Sequence, residues 1–262
     1  MGAKQYNDFY TIEKEIGKGK YCTIYKAILK DNNEKRAIKI IYKNTIRDDL
    51  ASKFTRKPNE ELIEKYIKNN RDEFNINKTF EGDKNALQYY EFYDSQNEFA
   101  IVMELCDENL LNYIVRKHSI NENYNILIQL NRILKKVVEK KHPLNFINLE
   151  DILLKYENEE KSQFIVKLKI KNNKSDINDL YKFQSSINYN KSIFYSPEYL
   201  KEQKYTEKSD LWNLGVIMYI LCDKEYPFKK ESEDDSIRES ESDSQILERM
   251  DYNIVKKMKI LI

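Results

Sequence analysis

At 262 residues the chain holds about 1.7 domains of ordinary size, so one large domain or two apposed lobes. Lys and Arg number 45 against 44 Asp and Glu, a net charge of +1, which argues against the one-sided basic excess of a nucleic-acid-binding protein. With 40% apolar residues, 20 Tyr and 11 Phe the chain is too rich in core-forming residues for disorder, and its longest apolar run, Leu214 to Cys222, is too short to span a membrane.

The first hundred residues read as strands. Phe9 to Ile16 alternates loosely, Tyr21 to Leu29 carries Ile24, Tyr25, Ala27 and Ile28, and Arg36 to Tyr42 follows a polar turn at Asp31-Asn32-Asn33-Glu34. Together they predict an antiparallel meander. Residues 59–80 change to helical spacing, with Leu62, Ile63, Tyr66, Ile67 and Phe74, and Pro58 suits a first helical turn. Two further short strands are predicted at Ala86 to Tyr93 and Glu98 to Glu104.

After Cys106 apolar residues recur at three and four positions through Leu110–Val115 and Ile126–Val138, as in amphipathic helices. A short strand pair, Asp151 to Leu154 and Phe164 to Ile170, interrupts them, and helical spacing resumes at Lys208 to Cys222. Strands first and helices afterwards indicate an α+β architecture with a seam near Leu105–Glu108. Residues 229–246, rich in Ser and acid, read as a solvated insertion; Ser232 and Ser240 have the downstream acids that suit acid-directed phosphorylation.

No charged-then-apolar leader opens the chain, so secretion is not expected. Gly2 is followed by Tyr6 where a myristoylation signal needs Ser or Thr. Cys22, Cys106 and Cys222 are odd in number and show no CxxC spacing, so reduced thiols in a cytoplasmic protein are expected, without a zinc site.

Ile16-Gly17-Lys18-Gly19-Lys20-Tyr21-Cys22 resembles the glycine-rich loop of protein kinases, whose backbone N–H groups close over phosphates. Ala37-Ile38-Lys39 resembles the Val-Ala-Ile-Lys strand and Ile101 to Cys106 the hinge. Ser196-Pro197-Glu198 resembles Ala-Pro-Glu, and Ser209 to Val216 the Asp-Leu-Trp-Ser-Leu-Gly-Val helix start. These motifs come in the family's order across about residues 9–228, and the chain resembles a eukaryotic Ser/Thr protein kinase domain. The resemblance implies a bilobal fold: a five-stranded antiparallel lobe with one main helix over residues 9–106, and a mostly helical lobe over 107–262.

The chain stops about 34 residues after Phe228, where the family continues with helices and an Arg that pairs with the Ala-Pro-Glu carboxylate. The second lobe is therefore expected to be abbreviated, or completed by another subunit. An exposed apolar face is expected beside the 208–222 helix, with Glu198 lacking its Arg.

The same resemblance exposes what is missing. Phosphoryl transfer in the family uses an Asp in His-Arg-Asp, five residues before a metal-binding Asn, and a second Asp in Asp-Phe-Gly. Glu150 to Leu154 resembles Glu-Asn-Ile-Leu-Leu, which puts Asp151 at the Asn and Leu144-Asn145-Phe146 at His-Arg-Asp. Asn148 stands where the family keeps a Lys, and His142 lies two residues too early to restore the frame. For Asp-Phe-Gly, the frames beginning at Ile170 or Asn172 contain no carboxylate, and a third begins at Asp176. Asn190-Lys191 replaces the Gly-Thr pair whose Thr bonds the base. No catalytic residue and no metal ligand is therefore assigned, although Asp151 keeps an oxygen-ligand alternative.

By resemblance, the nucleotide pocket comprises Ile16, Gly17, Gly19, Ile24, Ala37, Lys39, Met103 as gatekeeper, the Glu104 and Cys106 backbone, and Leu153 beneath. Glu73 is the expected helix partner of Lys39, with Glu61 as the alternative. The expected ligand is ATP, held weakly or without metal; Mg²⁺ is not expected. The implied function is that of a pseudokinase working through a protein partner, with neither nucleic acid nor membrane. An atypical Ser/Thr kinase using Asp176 and Asp151, and a nucleotide-sensing switch, are the alternatives.

Overall fold

The computed structural model describes residues 5–53, 60–116, 118–142, 144, 147–171, 194–202, 206–224 and 227. The 229–246 segment with Ser232 and Ser240, the Asn172 and Asp176 frames, Asn145, Phe146 and Asn190-Lys191 lie outside the described residues. The chain divides into two compact units, Met1–Glu108 with Leu153–Ser185, and Asn109–Ile152 with Ser186–Ile262. A single boundary at residue 106 omits the return at Leu153. The returning segment includes a strand, Phe164–Leu168, whose Leu168 donates to Asn85 O at 2.8 Å and accepts from Leu87 N at 2.9 Å.

In the first unit, β1 (Tyr10–Lys18), β2 (Cys22–Leu29), β3 (Lys35–Tyr42), β4 (Tyr89–Asp94) and β5 (Glu98–Glu104) form one antiparallel sheet of order β1-β2-β3-β5-β4. The register pairs Cys22 with Ile41, Ile24 with Lys39, Lys39 with Ile101 and Ala37 with Met103. Because side chains alternate along a strand, one face carries these residues together with Phe99. Lys39 is thus a cation set in an apolar row.

The other face carries Ala27, Ile38, Ile40, Ala100 and Val102, and Tyr6, Tyr10, Tyr25, Tyr42, Tyr90 and Tyr93 close over it. Tyr6 Oη donates to Glu98 at 3.0 Å, and Tyr10 and Tyr93 Oη both donate to Glu91, at 3.0 and 2.6 Å. Burial, reinforced by these carboxylates, raises all three phenol pKa values. Edge strand β1 exposes Glu13, Lys14 and Glu15.

A single turn, α1 (Tyr6–Phe9), precedes β1, and two helices follow β3 where the sequence predicts one: α2 (Lys43–Lys53) and α3 (Glu60–Lys78). The polar α2 carries little periodic signal. It docks through Ile46, buried with Tyr21, Ile41, Ile63 and Phe99, and through Lys43, bonded to Asp94 at 2.7 Å. A small sheet of order β6-β7-β8 is formed by β6 (Glu108–Asn109), β7 (Ile152–Tyr156) and β8 (Phe164–Leu168).

The second unit contains α4 (Leu110–Ile114), α5 (Ile120–Glu139), a 3₁₀ turn at Leu149–Asp151, α6 (Pro197–Glu202) and α7 (Glu207–Asp223). Ser119 and Glu122 cap α5 reciprocally, at 3.2 and 2.6 Å. Ile126, Leu130, Ile133 and Val137 bury one stripe of α5, and Asn123 donates to Leu221 O of α7 at 2.8 Å. Leu211 and Met218, seven residues apart on α7, are 64% and 39% exposed, on the helix where an apolar surface is expected.

Candidate functional site

Residues predicted from separate stretches of chain converge in the first unit. Ile24, Ala37, Met103, Cys106 and Leu153 share one apolar cluster with Leu87, Tyr89, Ile101 and Phe74. Gly17 lies beside Ile24, while Ile16 is 44% exposed on the edge strand, outside that cluster. At the hinge, Glu104 N donates to Gln88 O at 2.8 Å and Asp107 N to Leu154 O at 2.9 Å. Among the described residues no hydrogen bond takes up the Cys106 backbone between them, so its N–H and C=O suit the polar edge of a planar base. Burial, with the charge of Glu104 adding to it, pushes the Cys106 thiol up to about 12.

The glycine-rich loop closes tightly. Gly19 N donates to Cys22 O at 2.8 Å, and a Cβ on Gly19 would fall 2.9 Å from Cys22 Sγ, so a side chain there forces the thiol aside. The loop tip is also tied down. Tyr21 is 6% exposed, its ring stands edge-on to Tyr66 at 5.8 Å, and its hydroxyl and Lys20 Nζ both bond Asp49 of α2. The Lys20 pair is half-exposed and adds little, so Asp49→Ala should loosen the tip by about 1 kcal/mol. Amide exchange at Tyr21 and Cys22 then speeds up about fivefold; unchanged exchange would show that Asp49 does not hold the loop.

Lys39 and Glu73 come into the same neighbourhood without the expected direct pairing. Lys39 Nζ donates to Asn70 Oδ1 at 3.2 Å, while Glu73 Oε1 takes Lys169 Nζ at 3.2 Å and the Tyr89 hydroxyl at 3.1 Å. The turn of α3 facing β3 presents Asn70, one turn before Glu73, and the alternative Glu61 belongs to the first turn of α3. Burial depresses the pKa of Lys39, and repulsion from Lys169 adds to it. Burial alone would raise Glu73, but Lys169, Lys39 and Lys171 outweigh it and hold the carboxyl below its ordinary range.

Just past β8, Ile170 is fully buried. Asn77 of α3 clamps its backbone, donating to Ile170 O at 2.6 Å and accepting from Ile170 N at 3.1 Å. Lysines 167, 169 and 171 alternate with Val166, Leu168 and Ile170, and Lys167 Nζ reaches Glu104 at 2.9 Å. Sequence reasoning missed Asn70, Lys169 and Lys171 at this site, although the Lys-x-Lys-x-Lys alternation in a strand was the available signal.

The family model of the protein kinase domain matches residues 10–260. The chain belongs to the protein kinase domain family. It is similar to calcium-dependent protein kinase 5 of Plasmodium falciparum (isolate 3D7), 28% identical over 92% of this chain and 39% of that protein. It is similar too to calcium-dependent protein kinase 5 of Plasmodium berghei (strain Anka), 28% identical over 87% of this chain and 37% of that protein. Mouse serine/threonine-protein kinase 33 is 27% identical over 87% of this chain and 44% of its own. The chain thus spans about two fifths of the length of these curated relatives.

In a kinase domain the loop before β7 carries the catalytic base, and here α7 of the second unit bonds two of its described residues. Asp210 and Asn213, 3% and 0% exposed on α7, accept from Leu144 N at 3.3 Å and Ile147 N at 3.2 Å. Asp151 is buried, and its carboxylate accepts from Asn148 N at 3.2 Å while Asn148 Oδ1 accepts from Asp151 N at 3.0 Å. That carboxylate caps its own turn. His142 follows the end of α5, its N–H on Val137 O at 3.1 Å. Ser196 Oγ bonds Ser209 Oγ at 3.0 Å, which fixes the start of α6 against α7.

The described residues of the first unit have the chemistry a purine nucleotide needs: an apolar cluster, a hinge backbone at Cys106 and a lysine on the same sheet face. Among the described residues the set of carboxylate oxygens that Mg²⁺ wants is not assembled. In the frame that begins at Ile170 the kinase metal position holds a buried apolar residue, and the nearby Glu73 is taken up by Lys169 at 3.2 Å. Among the described residues, no three His, Cys, Asp or Glu side chains gather where a metal could bind them.

Proposed function

We propose that this kinase-family chain is a pseudokinase of the cytoplasm, with a nucleotide pocket but no phosphoryl transfer, that acts on a protein partner as a scaffold or allosteric regulator. The observation that supports this reading is a buried isoleucine, Ile170, clamped by Asn77, which in the frame beginning at Ile170 stands at the family's magnesium-binding Asp. Leu144-Asn145-Phe146 in place of His-Arg-Asp adds the loss of the base. A positioned base is worth about 10²–10⁴ in rate, and a lost metal contact compounds that loss.

Radiolabelled ATP offered with a general protein substrate and Mg²⁺ tests the reading. The expected result is no transfer above the background of Lys39→Ala. Transfer that this variant abolishes would refute it and support an atypical Ser/Thr kinase, the second reading, which the similarity to proteins named as kinases favours.

A further inference from the structure

We propose that Ser119 is a phosphorylation site, modified by a separate Ser/Thr kinase that selects arginine three residues before its target. This goes beyond the reading above and does not depend on it.

Three observations support the assignment. First, the hydroxyl is presented to solvent: Ser119 is exposed, and it stands between Val115 and Ile120, 83% and 69% exposed, in the connection from α4 to α5. That connection is anchored behind it. Arg116 O accepts from Lys224 Nζ at 3.1 Å and lies 2.9 Å from His118 Nδ1, and the His118 ring stacks on the buried Tyr113 at 4.7 Å. Second, the Ser119 backbone is extended, with φ −87° and ψ 157°, the form that a peptide-binding groove accepts. Third, Arg116-Lys117-His118-Ser119 sets a guanidinium three residues ahead of the hydroxyl, and no other arginine of the chain has Ser or Thr at that spacing. Carboxylates in the groove of such a kinase take the guanidinium by paired, charge-assisted hydrogen bonds. Arg116 now lies 4.7 Å over the Tyr113 ring, a contact weaker than those bonds.

ATP bound to the modifying kinase supplies the phosphoryl group. Ser119 Oγ bonds the γ-phosphorus, the link from that phosphorus to the β,γ-bridging oxygen breaks, ADP leaves, and the hydroxyl proton passes to the modifying kinase's carboxylate base. The product changes the start of α5. In the unmodified chain Ser119 Oγ accepts from Glu122 N at 3.2 Å, and Ser119 N donates to Glu122 Oε2 at 2.6 Å. A phosphate keeps the first of these bonds, now charge-assisted, at the positive end of the helix. Its like charge drives the Glu122 carboxylate off the second.

Incubating the folded full chain with such a kinase and radiolabelled ATP, then mapping the label by peptide mass, tests the proposal; a parallel sample lacks the added kinase. Label should appear at Ser119 only where the kinase is added, and Ser119→Ala should abolish it. Arg116→Gln should lower the labelling rate at low chain concentration about tenfold, the loss of one charge-assisted contact. Because Arg116 also packs on Tyr113, thermal unfolding of this variant is compared first. Arg116→Lys, which keeps the charge without the fork, should fall between it and the parent. The proposal fails if label settles elsewhere instead of at Ser119, if it enters only after urea unfolding, or if it enters without the added kinase. It fails equally if Arg116→Gln is labelled as fast as the parent. Labelling by an acid-directed kinase alone, which would read Glu122 three residues after the serine, also overturns it.

Discussion

Asn77→Ala should lower the unfolding free energy by about 3 kcal/mol. Asn77 is 1% exposed and bonds three backbone groups: Glu73 O at 2.8 Å, Ile170 O at 2.6 Å and Ile170 N at 3.1 Å. Truncation strands a buried donor and a buried acceptor on Ile170, each worth about 1–3 kcal/mol, and the better helix propensity of alanine returns only about 0.5 kcal/mol. Against a total stability of about 5–15 kcal/mol that is a large fraction. Urea unfolding reads it as a lower midpoint with an unchanged slope. A loss under about 1 kcal/mol would mean that Ile170 finds other partners and that the clamp is incidental.

The second large effect belongs to Glu104. Its side chain is 7% exposed and pairs with Lys167, also 7% exposed, at 2.9 Å, and with the outer Lys155 at 2.7 Å. Glu104→Leu leaves Lys167 buried without its carboxylate and should cost about 3–5 kcal/mol. Glu104→Leu combined with Lys167→Met should recover most of that, since it removes both buried charges. A double variant no better than the single would refute the account.

The same site sets an acid response. Burial would raise the Glu104 carboxyl, but Lys155 and Lys167 outweigh it and hold the pKa below the ordinary 4.5. A carboxylate depressed in the folded state stabilises above the unfolded value, and that stabilisation is lost as pH falls through the folded one. Below about pH 4.5 the parent should lose stability more steeply than the double variant.

The sheet was legible because its strands are runs of Ile, Val and Tyr separated by polar turns. The stripe of α5 was legible because Ile126, Leu130, Ile133 and Val137 repeat at helical spacing. Helix α2 was not: its sequence is mostly polar, and its place is decided by Ile46 and by the bond of Lys43 to Asp94, contacts made far along the chain. The pocket's apolar positions followed from the family pattern. The partner of Lys39 did not, because which turn of α3 meets β3 depends on the whole segment between them. An Asn at position 70 or 77 looks like an ordinary polar residue on a helix until Lys39 and Ile170 are set against it.

The rim of the first unit carries charge along its open edge. Strand β1, at the open side of the sheet, presents Glu13, Lys14 and Glu15 to water, with Glu13 held by Lys26 at 2.6 Å. A foreign strand laid alongside would have to strip water from that row of charges before making any main-chain bond, a deterrent well suited to keeping such borders single. Strand addition by another chain at this border is therefore disfavoured.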